Sequence, residues 1–388
     1  MPSNNGPSAA DRQLIDHAAR HDLAVTAKQL DVWRRAGLLS GNVSGGGLGR
    51  GRGSTSSPPP ESFELVLALA RRAGRGKRPT DLALLLFADG HPVPEATVRA
   101  AFRGAVDAVV LPGEDDSLDD DQELDERADR LMGRLAESGQ AFTLVPARAR
   151  RIDERIARLL GEAPKELAEL DKNTEPRPMT PHDASLTTVT AVLGGSMSVD
   201  DIGSLLRGMN PSAAAHPFAS LVETTQQDVP ASADQVMADD GTFTFLPEGD
   251  ARDYLRGLVD TASSEDLRVC WRTAEQVRDW ALDLCDRVEA ELDAGQPGDA
   301  VTLWLLGRGM PSGISVLETL RERRWSPSSA AVSTLVLLFQ RQMYEALDEQ
   351  VPGCQWPVLE MEGVMAPPVR DLILTALQHT APAQAQES

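Results

Sequence analysis

Residues 264–294 place Leu267, Trp271, Ala274, Val277, Ala281, Leu284, Val288 and Leu292 at steps of three and four. That spacing lays one apolar stripe along a single long helix. Such a stripe is buried only when other elements pack against it, so it commits the chain to a helical core. Ser263-Ser264-Glu265-Asp266 supplies the N-cap and an acidic first turn. The same periodicity predicts helices over Asp81–Ala88, Glu95–Val110, Gln122–Ser138, Pro146–Gly161, Ala184–Leu193, Ser198–Arg207, Ser232–Asp239, Ala251–Thr261, Gly298–Gly307, Gly313–Arg323, Ser328–Val351 and Pro367–Gln378. One short alternating run, Thr242–Leu246, reads as a strand bounded by Gly241 and Pro247. No repeat of fixed period is present. The expected fold class is mostly α: an N-terminal winged helix-turn-helix head followed by an acidic all-helical body.

Charge divides the chain in the same place. Residues 1–104 carry 14 Lys+Arg against 9 Asp+Glu, whereas residues 105–388 carry 24 against 50, giving the net −21. A basic head on an acidic body is the electrostatic footprint of phosphate binding by the head. Of the 38 cations 34 are arginine, the composition of a GC-rich bacterial genome. The cysteines, Cys270, Cys285 and Cys354, are odd in number, far apart and without zinc spacing, which reads as reduced thiols. The opening MPSNNGPSAADR has no apolar core of a signal peptide. The longest apolar run, Ala330 to Phe339, falls short of the roughly 20 residues a membrane span needs. The expectation is a cytoplasmic protein with no membrane partner.

Composition shifts suggest the division: 1–10 a disordered leader, 11–111 the head with supporting helices, and 112–121 an acidic linker (PGEDDSLDDD). Then come 122–171 a helical hairpin and candidate oligomerisation element, 172–181 a second linker, 182–380 a helical C-terminal domain, and 381–388 a tail.

Within the head the order is helix, tight turn, helix, Gly/Arg loop, helix. Leu14, Ile15, Ala18 and Ala19 form an apolar edge, and His21-Asp22-Leu23 turns the chain. Thr26 is an N-cap for a helix over Ala27–Ala36, and Gly37 ends it as a left-handed cap. Leu30, Trp33, Leu38 and Leu39 point inward, which leaves Lys28, Gln29, Arg34 and Arg35 for solvent or DNA. The glycines at 45–47, 49, 51 and 53 let the backbone approach a partner closely, so Arg50 and Arg52 reach phosphates or a narrow minor groove. No Gly-Lys-Ser/Thr follows, so this is not a phosphate-binding P-loop.

The segment resembles the MerR-type winged helix-turn-helix family. The resemblance rests on an aromatic followed by Ala36-Gly37-Leu38-Leu39, a flexible loop, and a third helix ending in Arg71-Arg72. It covers about 75 residues, under a fifth of the chain. It implies a second helix in the major groove and a wing on the adjacent backbone. Thr26, Lys28 and Gln29 would then approach bases or phosphates, with Arg50, Arg52, Ser54 and Thr55 as wing contacts and Arg71 and Arg72 closing the basic surface. Asp31-Val32-Trp33 stands where the family has Arg-Tyr-Tyr, and GRGRGSTSS where it has Tyr-Arg-x-Tyr.

Patterns of chemistry elsewhere are sparse. His17 and His21 are four apart but lack a third ligand at metal-binding spacing. His182-Asp183, Asp239-Asp240-Gly241 and the pair Glu360 and Glu362 read as isolated turn or loop groups, and no nucleophile elbow is present. The sequence therefore predicts no enzyme, cofactor or metal. The expected function is a DNA-binding transcriptional regulator that binds double-stranded DNA as a homodimer, its C-terminal domain taking a protein partner or small-molecule effector. Two other classes stay open: a protein–protein adaptor without sequence-specific DNA binding, and an enzyme with a site in 180–388.

Overall fold

The first two helices begin at caps that the local sequence supplies. The computed structural model describes residues 7–44, 56–73, 77–108, 146–160, 197–198, 207, 242–243, 251–308, 313–320, 322–350, 352–353, 359–360, 363 and 365–380. The chain is mostly helical. It divides into two units, one built from Met1–Ala108, Val259–Trp271 and Ser326–Val332, the other from Val109–Leu258, Arg272–Trp325 and Ser333–Ser388.

The first unit opens with α1 (Ala9–Ala19), whose N-cap Ser8 forms a reciprocal capping box with Asp11. Asp22 adopts φ 59°, the left-handed region an aspartate tolerates, and reverses the chain after α1. The amide of Leu23 donates to Ala18 O and that of Asp22 to Ala19 O, which closes the carbonyls of α1. Helix α2 (Ala27–Arg35) follows from N-cap Thr26. Strands β1 (Val43–Ser44) and β2 (Ser56–Ser57) pair antiparallel, with Val43 opposite Ser57. Then come α3 (Glu61–Arg72), α4 (Pro79–Ala88) and α5 (Glu95–Asp107). Helix α1 packs on α2, β2 and α3, and the remaining helices pack in order, α3 on α4 and α4 on α5. Leu14, Leu30, Leu38, Leu65, Leu69, Leu84, Leu86, Phe87, Phe102 and Leu267 are fully buried within this unit, and Trp33 and Trp271 nearly so.

Residues far along the chain complete this unit. Phe102 meets Trp271 edge to face with centroids 6.1 Å apart, and the Arg268 guanidinium lies 4.9 Å over the Phe87 ring. Arg99 donates to the carbonyls of Val259 and Ala262, and Arg103 pairs with Asp260. Arg99 thereby caps the carbonyl end of α7 (Ala251–Thr261), where cations are favoured.

Helix α2 ends in a Schellman motif: Leu38 N–H donates to Trp33 O and Gly37 N–H to Arg34 O. Gly37 has φ +70°, and a Cβ there would lie 2.5 Å from Thr97 Oγ1, which itself donates to Gly37 O at 2.9 Å. Gly37→Ala is expected to cost about 2–3 kcal/mol: left-handed strain of about 1–2 plus about 1 for the displaced hydrogen bond. Urea denaturation of the single variant and of the same change in a Thr97→Ala background checks this, since the penalty should fall when Thr97 is absent.

In the second unit, α6 (Ala147–Leu160) lays Ala149, Ile152 and Ile156 into a core with Ala281, Leu284, Cys285, Val288 and Leu292 of α8 (Ser264–Ala294), Trp304 of α9 (Asp299–Arg308) and Leu317 of α10 (Gly313–Leu320). Arg148 bonds Glu289 and Asp286, and Arg155 bonds Asp293, so one side of α6 is fastened to α8 at two points two turns apart. Trp304 Nε1 donates to buried Asp153 at 2.7 Å. The Arg278 guanidinium donates to the carbonyls of Thr319, Glu322 and Arg323 and sits 5.3 Å over the Trp325 ring. Helices α11 (Pro327–Gln350) and α12 (Pro367–Thr380) complete the order. Strands β3 (Met197–Ser198) and β4 (Thr242–Phe243) pair antiparallel.

The Glu291 carboxylate accepts from the amides of Gly298, Ala300 and Val301 at 2.8–3.0 Å and caps the start of α9. Burial raises its pKa, but these backbone donors outweigh it and hold the group below its ordinary value. A depressed folded pKa adds stability above the unfolded value and loses it as pH falls through the folded one. Glu291→Gln is therefore expected to cost about 1–2 kcal/mol at pH 7, with the gap to wild type closing below the usual glutamate range. Denaturation at pH 7 and in acid measures it.

Candidate nucleic-acid interface

Nine residues make α2, and its neighbours decide which of them face outward. Leu30 and Trp33 are buried against the rest of the unit. Lys28, Asp31, Val32 and Arg35 are exposed. They stand at i, i+3, i+4 and i+7, one face of a helix. Val32 is 43 % exposed and Val43, on β1, 56 %.

Thr26 and Gln29 serve each other. Thr26 Oγ1 accepts from Gln29 N at 3.2 Å, and Gln29 Oε1 accepts from Thr26 N at 2.8 Å and Thr26 Oγ1 at 2.9 Å. Arg34 is turned inward: it pairs with Asp11 at 2.6 Å and donates to Asn42 Oδ1 at 3.0 Å, tying α1 and the start of β1 to α2. Burial raises the Asp11 pKa, yet bonds from Ser8 and Arg34 outweigh it and leave the carboxyl below its ordinary value. Arg35 stays exposed and pairs with Asp31 one turn back at 2.6 Å. Arg72 holds Asp89 through two bonds, 2.9 and 2.7 Å, fastening the end of α3 to the end of α4. Arg71 is exposed beside it. Arg50, Arg52, Ser54 and Thr55 lie outside the described residues, as do residues 112–121, 122–138 and 172–181 and Cys354.

Of the expected contact residues, the structure thus brings Lys28 and Arg35 onto one exposed face, and gives Thr26, Gln29, Arg34 and Arg72 bonds within the fold. Asp31 and Val32 belong to the outward face but were not among the expected contacts. Counting i+3, i+4 and i+7 from Lys28 finds both. The Thr26-x-x-Gln29 spacing is that of a capping box, in which the Gln29 side chain is occupied by the cap.

Arg12, Lys28, Arg71, Lys77 and Arg78 are exposed and make no ion pair among the described residues. The His17 ring packs edge to face on His21 and Phe63, with centroids 5.0 and 5.1 Å away. Burial, with the neighbouring His21 and Arg20, pushes its pKa down, which favours the neutral ring. Among the described residues no three His, Cys, Asp or Glu side chains are grouped as a metal site. Cys270 and Cys285 are buried and form no disulfide, and burial pushes the Cys285 thiol up to about 12, which favours its protonated form. No described helix is long and apolar enough to cross a membrane. No protein-family model, curated protein or solved structure matches this chain.

Proposed function

We propose that the chain is a DNA-binding regulator whose head is a winged helix-turn-helix, with α2 as the recognition helix and the stretch between β1 and β2 as the wing. The observation that carries this reading is the outward face of α2. Lys28 and Arg35 flank Val32 on a short helix anchored at both ends, by the Thr26 cap and by the Schellman motif at Gly37. A recognition helix needs such anchoring to hold its side chains against base edges. The order helix, turn, helix, paired strands, helix also fits the resemblance to the MerR-type family. In sequence, Arg50 and Arg52 fall between β1 and β2, the place of a wing that would grip phosphates.

One head covers few base pairs, so the reading includes a homodimer that doubles the site. The acidic body then serves assembly and takes an effector or protein partner; no catalytic step is assigned to it.

Exposed Val32 and Val43 also fit the alternative, an adaptor that docks a protein on this face. A gel shift of the full chain against random duplex at low ionic strength separates the two. The regulator reading expects a retarded complex, and an unshifted duplex at micromolar protein supports the adaptor.

A further inference from the structure

We propose that Val32 reads the 5-methyl group of a thymine in the major groove; this rests on the reading of α2 as the recognition helix. Val32 lies between Lys28 and Arg35 on the outward face and is 43 % exposed. Three neighbouring side chains already make bonds within the fold. Gln29 Oε1 closes the cap on Thr26, Arg34 is held by Asp11 and Asn42, and Asp31 is paired with Arg35. The centre of the face therefore meets a partner with two methyl groups and no donor or acceptor. On the major-groove edge of a base pair the apolar feature is the thymine methyl. Valine is stiff at χ1 on a helix, so its methyls are held in place with little further loss of entropy. Lys28, and Arg35 once its exposed pair with Asp31 opens, flank it with positive charge for the phosphates beside the groove.

Removing the methyl from the DNA tests this directly. Selection from a random duplex library with the full chain gives a preferred duplex, in which each thymine is replaced singly by deoxyuridine. Wild type is expected to lose about fourfold in affinity at one position per bound head, the effect of exposing one methyl-sized group. Val32→Ser, a change on an exposed face that leaves the fold intact, should bind the thymine and uracil duplexes equally. Val32→Ile should keep the penalty. No penalty in wild type, or the same penalty in Val32→Ser, while salt-dependent binding persists, overturns the assignment of Val32 and leaves the DNA reading standing. Absence of binding to any duplex at low salt overturns both.

Discussion

Replacing Arg50 and Arg52 together with Ala is expected to weaken duplex binding by the full chain by about 10- to 60-fold at 0.1 M salt for each head bound. Each arginine that neutralises a phosphate releases close to one counterion, so two lost contacts scale as roughly the 1.8 power of salt concentration. The log–log salt slope should become less steep by about 2 for each head bound. The loss should be similar across sequences, because phosphate contacts position the protein without reading bases. The glycine-rich stretch GGGLGRGRG gives these side chains few apolar neighbours in sequence, so thermal stability should change by no more than about 0.5 kcal/mol. Fluorescence anisotropy at several salt concentrations, with a thermal melt of each protein, provides the check. Wild-type affinity in a variant that melts normally would make the stretch a linker and remove the wing from the account.

The largest stability effect is expected at Trp304. It is 2 % exposed in the second unit's core, and its indole N–H donates to Asp153, itself 7 % exposed. Trp304→Ala removes the largest side chain of that cluster and leaves a cavity, which costs about 3–5 kcal/mol. It also withdraws a donor from a buried carboxylate, adding about 1–3 kcal/mol. Since a domain's whole stability is about 5–15 kcal/mol, this variant should lose a large share of its stability at room temperature. Trp304→Phe keeps most of the volume and loses only the donor, so about 1–3 kcal/mol is expected there. Urea midpoints of the two variants separate packing from the hydrogen bond. A Phe variant as stable as wild type would show that the indole–carboxylate bond contributes nothing.

Among the described residues, local signals in the sequence carried most of the helical architecture. The stripe from Leu267 to Leu292 is buried at every position it named, because a period of three and four residues survives any tertiary context. Thr26 and Gly37 bound α2 for reasons contained within a few residues, a side-chain acceptor at one end and a left-handed backbone at the other. Long-range pairings left no such trace. Arg34 binds Asp11 across a turn, and Arg99 reaches carbonyls some 160 positions away, so neither partner is visible from spacing. That difference decides the site. An arginine on a short helix looks free in sequence until a distant carboxylate is placed beside it, which is how Arg34 and Arg72 enter the fold while Lys28 remains on the surface. The mostly helical class was legible from periodicity, whereas the return of residues 259–271 and 326–332 to the first unit was not.

The central claim is that the head neutralises DNA phosphates, and the salt dependence of duplex binding by the full chain tests it most directly. With four to six phosphate contacts per head, the log–log slope between 50 and 200 mM salt should be roughly −4 to −5 for each head bound. No binding at low salt by the folded protein, or an affinity that does not change with salt, would contradict it.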